Sequence, residues 1–201
     1  MKRLLALSAL YSVLWHGSGF AAGSAQTEGR PHKGPRAYHA MCQREPHLCR
    51  DDRASARALG VSAPARLTKQ RMRQLQRINS KVNSRIRAGH DYELYGVSDF
   101  WTQGKGFGDC EDYMIAKKQG LIAAGWAADQ VLYAVVIGTE TPYHAVLIVR
   151  TDRGDLVLDN LKGQILGWRA SGYRFVVRQS AANPRQWVRV VEPAAKVAER
   201  R

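Results

Sequence analysis

Cys110, His144 and Asp159 are the residues of this chain whose types and spacing suit covalent chemistry through sulfur. A cysteine attacks as its thiolate, so a nucleophilic position has to favour the anion. Cys110 stands first in a predicted helix, at the positive end of the helix dipole, where unpaired main-chain N–H groups can also hold an oxyanion. The competing reading is a buried structural thiol, a common fate of free cysteine. His144 opens one predicted strand and Asp159 closes the next, so a turn at Thr151–Gly154 brings them within about a residue of opposite. Cross-strand neighbours lie roughly 5 Å apart, within reach for an imidazole and a carboxylate. A base held in one tautomer by a carboxylate is what a nucleophile–base–acid set requires. The other histidines have no such partner in the pattern, and the alternative is a satisfied edge histidine beside a turn aspartate.

Asp109, Glu111 and Asp112 crowd the same cysteine in a chain with 31 Lys and Arg against 17 Asp and Glu. Three carboxylates beside a thiol oppose its ionisation, so something must offset them. Helix-end stabilisation is one account, with Asp109 as cap and the other two in the first turn. A bound hard cation, with calcium as the candidate, is the other, although the spacing is not that of an EF-hand loop.

The elements that must position these groups follow from periodicity. Leu67, Leu75, Ile78, Val82 and Ile86, with Met72, recur at helical spacing while arginines and lysines take the opposite face, and Gly89 is the expected terminator. A second helix is expected from Cys110 to about Ala124, ended by Gly125. Strands are expected at 131–137, 144–150, 156–159, 172–179 and 187–191. Helices first and an antiparallel sheet after them make an α+β fold, with N-terminal helices packed on the sheet.

At 201 residues the chain suits one domain. Lys2 and Arg3, the apolar run Leu4–Trp15 and the small residues Ala21–Ala25 read as a signal peptide over 1–25. No other stretch approaches the roughly 20 apolar residues a bilayer requires, so a stable membrane span is not expected. Residues 26–65 form a lead-in, flexible over 26–40; 66–192 carry the main domain and 193–201 a basic tail. Cys42 and Cys49, six residues between them, look like a disulfide in an oxidising compartment. Zinc, with His39 and His47 nearby, is the competing reading, at a spacing that fits known sites poorly. Cys110 is left unpaired, which in an exported protein itself suggests reactivity. The formal charge of +14 favours anionic partners without selecting one. Much of the excess lies in Arg66–Arg87 without interleaved aromatic residues, so a nucleic-acid platform is not expected.

Through Gly108-Asp-Cys-Glu-Asp-Tyr113, His144-Ala-Val-Leu147 and Leu156-Val-Leu-Asp-Asn-Leu161 the sequence resembles the bacterial transglutaminase-like cysteine proteases, a family with LapG-like periplasmic members. Val82-Asn83, Tyr95-Gly96, Asp99-Phe-Trp101, Lys117, Gly125-Trp126 and Gly172-Tyr-Arg-Phe-Val176 extend the likeness over roughly residues 75–190. The resemblance implies a papain-like, transglutaminase-like core, with Cys110 as nucleophile, His144 as general base and Asp159 orienting it. It also implies calcium beside the nucleophile, on Asp109 and Glu111 with Asp112 as a third ligand. It implies further a periplasmic or secreted location and a protein substrate there, a surface adhesin cut at paired alanines in LapG-type members, with an inner-membrane cyclic di-GMP receptor as restraint. The chain departs from the family between Trp101 and Cys110, where only Thr-Gln-Gly-Lys-Gly-Phe-Gly-Asp intervenes in place of a longer stretch. Besides endopeptidase action, the same three residues suit amidase or transglutaminase acyl transfer. A noncatalytic basic module binding an anionic envelope partner is the reading from a different class.

Overall fold

A computed structural model describes residues 23–49, 61–138 and 142–191. The expected leader falls outside this range up to residue 22, as does the tail 193–201. Among the described residues, nine strands and four α-helices follow in the order β1 (Thr27–His32), α1 (Arg36–Arg44), α2 (Lys69–Arg85), β2 (Arg87–Ala88), α3 (Asp91–Tyr95), β3 (Phe107–Gly108), α4 (Cys110–Ala123), β4 (Val131–Ile137), β5 (His144–Val149), β6 (Leu156–Leu158), β7 (Leu166–Gly167), β8 (Arg174–Gln179) and β9 (Trp187–Val191). Seven strands build one sheet in the order β1-β9-β8-β4-β5-β6-β7, antiparallel throughout, while β2 and β3 pair in parallel apart from it. This is the expected α+β layout.

Strands β5 and β6 are buried along their whole length and β4 nearly so, which is why their sequences run apolar instead of alternating. On one face Tyr133, Leu147, Val149 and Leu158 meet Leu75 of α2 and Met114, Ile115 and Leu121 of α4. On the other, Leu132, Val146, Ile148 and Val157 pack beneath Trp168 and Phe175. Helix α4 lies between α2 and the sheet and is buried around most of its circumference, Lys117 and Lys118 included. Lys118 Nζ is satisfied by Gln179 Oε1 at 2.9 Å. An aromatic cluster of Tyr38, Trp101, Tyr133 and Trp187, in edge-on contacts with centroids 5.3 to 6.2 Å apart, ties α1 to the sheet.

Two local expectations need correction, and the expected disulfide is present. Residues 27–44, expected within a flexible lead-in, form the edge strand β1 and the helix α1, whose Ala37, Tyr38 and Met41 enter the core. Thr68 starts α2, its hydroxyl accepting the Arg71 N–H at 3.1 Å. Leu67 and Ile86 are buried just outside that helix, and it ends at Ile86 instead of Gly89. Cys42 and Cys49 are joined in a disulfide, which removes both sulfurs as zinc ligands. Among the described residues, no helix is long and apolar enough to cross a membrane.

Gly23–Gln26 clasp the far edge of the sheet. Gly23 N–H donates to the Arg153 carbonyl at 2.8 Å, the Trp168 indole to the Ser24 carbonyl at 2.7 Å, and the Gln26 N–H to buried Asp155 at 2.8 Å. Gly154 sits at φ +97°, and a Cβ there would strike the Gly23 backbone. Replacing it with alanine combines left-handed strain with that collision, so the melting temperature of Gly154→Ala is expected to fall on the order of 5 °C. Gly163→Ala, with open space around it, serves as the neutral control in the same circular-dichroism melts. Equal melting of the two variants would contradict the clasp.

Candidate active site

His144 begins β5 and Asp159 directly follows β6. The pairs Leu147↔Leu158 and Val149↔Leu156 fix the register, and continuing it sets Asp159 across from Val146. The histidine and the carboxylate therefore meet on a diagonal of one sheet face, two positions from directly opposite where the turn alone suggested about one. Diagonal neighbours are within reach of long side chains. His144 Nε2 lies 2.8 Å from Asp159 Oδ1, with both side chains at most 3% exposed.

Asp159 is held by more than the histidine. Its Oδ1 also accepts the Leu161 N–H at 3.0 Å, and its Oδ2 accepts the Tyr173 hydroxyl at 2.6 Å. Asn83, on α2, donates to its carbonyl at 2.9 Å. Burial alone would raise the carboxyl, but the bonds from His144, Tyr173 and Leu161 hold it below its ordinary value. Ionised, it can only accept. Nε2 therefore carries a proton toward Asp159, and Nδ1 is left for another partner.

Cys110 opens α4, which packs across β5. It lines a cleft of about 410 Å³ together with His144, Ala145, Trp101, Val135 and Tyr143. Its thiol donates to Glu111 Oε2 at 3.1 Å. Burial first, and then the Glu111 charge, push the thiol far above its ordinary range, opposed by the Ala145 N–H.

The acidic residues form the other wall. Asp109 occupies the N-cap position but makes no side-chain capping bond, so the capping part of the helix-end account does not hold, while Glu111 and Asp112 lie in the first turn as expected. Asp109, Glu111 and Asp112 are joined by Asp91, at the start of α3, and Asp99, in overlapping sets whose ligand atoms lie within 4.8 Å of one another. Burial is the main cause raising Asp91, Asp99, Glu111, up to about 9, and Asp112, up to about 7. Neighbouring acids add to it, Asp109 in every case. Asp91 Oδ1, Asp109 Oδ1 and Asp112 Oδ2 are buried without a hydrogen-bond partner. Crowded, partly orphaned carboxylate oxygens are the donor set a hard divalent cation takes. Sequence reasoning missed Asp91 and Asp99 as members of this wall. A signal was present, since six of the 17 acidic residues fall in the 22 positions from Asp91 to Asp112.

The short segment between Trp101 and Cys110 is braced at both ends. Thr102 N–H donates to Asp112 Oδ1 at 3.1 Å, and Phe107–Gly108 pair with Arg87–Ala88. The Trp101 indole donates to Asp99 Oδ1 at 2.9 Å, and the Phe100 N–H donates to Asp91 Oδ2. A thiol, an imidazole backed by a carboxylate, and a carboxylate nest thus border one cleft, an arrangement able to carry acyl transfer through sulfur.

The family described as bacterial transglutaminase-like cysteine proteinase BTLCP matches residues 28–195. Among solved structures, Legionella pneumophila LapG is 27% identical with a TM-score of 0.50, covering 61% of this chain and 69% of its own. Calcium-bound Legionella pneumophila LapG is 26% identical with a TM-score of 0.51, covering 66% and 77%. A search of the curated proteins finds no match. The family match spans the sheet, α4, the cleft and both of its walls, and the chain belongs to the bacterial transglutaminase-like cysteine proteinases.

Proposed function

We propose that this protein is an exported cysteine endopeptidase in which Cys110 is the nucleophile, His144 the general base and Asp159 the residue that orients it. The observation that carries the reading is the His144–Asp159 bond of 2.8 Å on the floor of a cleft that also holds Cys110. With Nε2 committed to Asp159, Nδ1 takes the thiol proton. The sulfur attacks the scissile carbonyl carbon, and the oxyanion is met by main-chain N–H groups at the start of α4. His144 returns its proton to the leaving amine, giving a thioester. Water attacks that thioester as His144 takes its proton, the C–S bond breaks with the proton passing from His144 back to the Cys110 sulfur, and the acid product departs.

Asp91, Asp99, Asp109, Glu111 and Asp112 would hold the cation, and the calcium bound by the LapG neighbour agrees with this donor set. Bound there, calcium supplies positive charge that cancels the carboxylates beside the sulfur. Glu111 then neither holds the thiol proton as strongly nor repels the thiolate.

An extracytoplasmic protein, of adhesin type in LapG-like members, is the proposed substrate, and an inner-membrane cyclic di-GMP receptor the proposed regulator. Export is proposed to depend on the leader within residues 1–25, with location periplasmic or secreted. Release ahead of Gly23 would preserve the clasp on Arg153. The Cys42–Cys49 disulfide agrees with an oxidising compartment.

Cys110→Ala is expected to abolish cleavage of a protein substrate, at least about 1,000-fold, with folding intact. Processing at the wild-type rate by that variant would refute the assignment. Without calcium, Glu111 and Asp112 release protons only at about 9 and about 7, whereas the unfolded chain releases them near pH 4. Between those values the folded state holds more protons, so stability falls as pH rises. Melting temperature in chelator is expected to decline from about pH 5 to about pH 8, and saturating calcium to remove the decline by binding the ionised carboxylates. Identical melting profiles with and without calcium would contradict the proposed cation site.

A further inference from the structure

We infer that the basic hollow between β1, α1 and β9 is a substrate subsite that receives acidic side chains flanking the scissile bond, an inference that rests on the proteolytic reading above. The hollow is lined by His32, Lys33, Arg36, His39 and Arg189, with Pro31 and Gly34, and no acidic residue is among them. Its basic side chains are exposed, but the backbone that carries them is fixed. Gly34 sits at φ +73° with its face against the buried Trp187 ring, where a Cβ would come within 2.5 Å of a ring carbon. The Gly34 N–H donates to His32 Nδ1 at 3.0 Å, and His39 Nε2 donates to the Lys33 carbonyl at 2.5 Å. Arg36 is the first residue of α1, which has neither a side-chain cap nor an acid in its first turn. The positive end of that helix is therefore left to add to the field of the side chains.

Position ties the hollow to the cleft. Pro35 lines the cleft with Cys110 and His144, while its two chain neighbours, Gly34 and Arg36, line the hollow. An extended substrate advances about 3.3 Å per residue, so a side chain a few residues from the cut bond reaches the basic group. The cleft itself carries Asp99, Asp109 and Glu111, the residues that would hold the cation and lose their charge to it, so the hollow is what gives the substrate a direction. The groove accepts a peptide with acids on the side of the scissile bond that faces the hollow and gains nothing from acids on the other side. A noncovalent anionic polymer would need no such adjacency to the sulfur.

The test uses the full chain with saturating calcium and quenched fluorescent peptides built on an Ala-Ala centre. Pairs of Asp or of Asn are placed on the N-terminal or the C-terminal side. One of the two Asp peptides is expected to show a KM about 10-fold below its Asn counterpart with similar kcat, and the other none of this gain. The preference is expected to collapse toward one in about 0.5 M salt, where surface charges are screened. It is expected to collapse likewise in the Lys33→Glu/Arg36→Glu/Arg189→Glu variant, whose fold is checked by its melting temperature. Equal KM values for Asp and Asn peptides on both sides, or a preference that survives charge reversal, would overturn the inference. If the wild type cuts none of the peptides, fluorescence anisotropy on Cys110→Ala decides between the two readings. Tighter binding of one Asp peptide keeps the subsite while the proteolytic reading fails, and equal binding overturns the subsite itself.

Discussion

A thiol buried beside carboxylates is the constraint around which one end of this molecule is arranged. Asp91, Asp99, Asp109, Glu111 and Asp112 converge where α4 begins, and each negative charge added near a sulfur makes its anion harder to form. Protons satisfy such a cluster in part, which is why burial raises Glu111 and Asp112 so far. Protons also leave the sulfur bonded to Glu111 and harder to ionise. On the proposed reading a divalent cation takes their place and returns to the helix terminus its usual preference for negative charge. The loop from Trp101 to Gly108 serves this end, since Thr102 and Trp101 each hold a carboxylate in place.

The opposite wall needs no such help. His144 opens β5 and Asp159 directly follows β6, two paired strands that are buried along their whole length, so their separation is set by sheet register. Asp159 has every oxygen engaged, by His144, Leu161 and Tyr173 on the carboxylate and by Asn83 on the carbonyl. A fully satisfied buried carboxylate is rigid, and a rigid carboxylate fixes both tautomer and tilt of the imidazole. One half of the site is therefore built by the fold, and the other half is left dependent on what fills the acidic nest.

Much of this was legible from the residues. Helix α4 announced itself through its acidic first turn and apolar run, and β4, β5 and β6 through unbroken apolar stretches that only a doubly buried strand needs. Pairing of His144 with Asp159 followed from strand order and one turn, although the diagonal did not, because a turn fixes which residues approach and only the hydrogen-bond ladder fixes the register. Strand β1 was invisible since an exposed edge strand carries no alternation and even tolerates Pro31. Helix α1 was hidden by its length of nine residues and by burying only Ala37, Tyr38 and Met41. Asp91 and Asp99 escaped for a similar reason, being brought to Glu111 by loop packing that no short-range pattern encodes. The neighbouring of the basic hollow and the cleft through Pro35 likewise exists only once β1 and α1 have docked.

The central claim is that the carboxylate nest controls ionisation of Cys110, and alkylation of that thiol by iodoacetamide as a function of pH reads it directly. With saturating calcium the titration midpoint is expected below the ordinary thiol value of about 8.5, and with chelator above it, by at least about one pH unit in total. A midpoint that does not move between the two conditions would contradict the account.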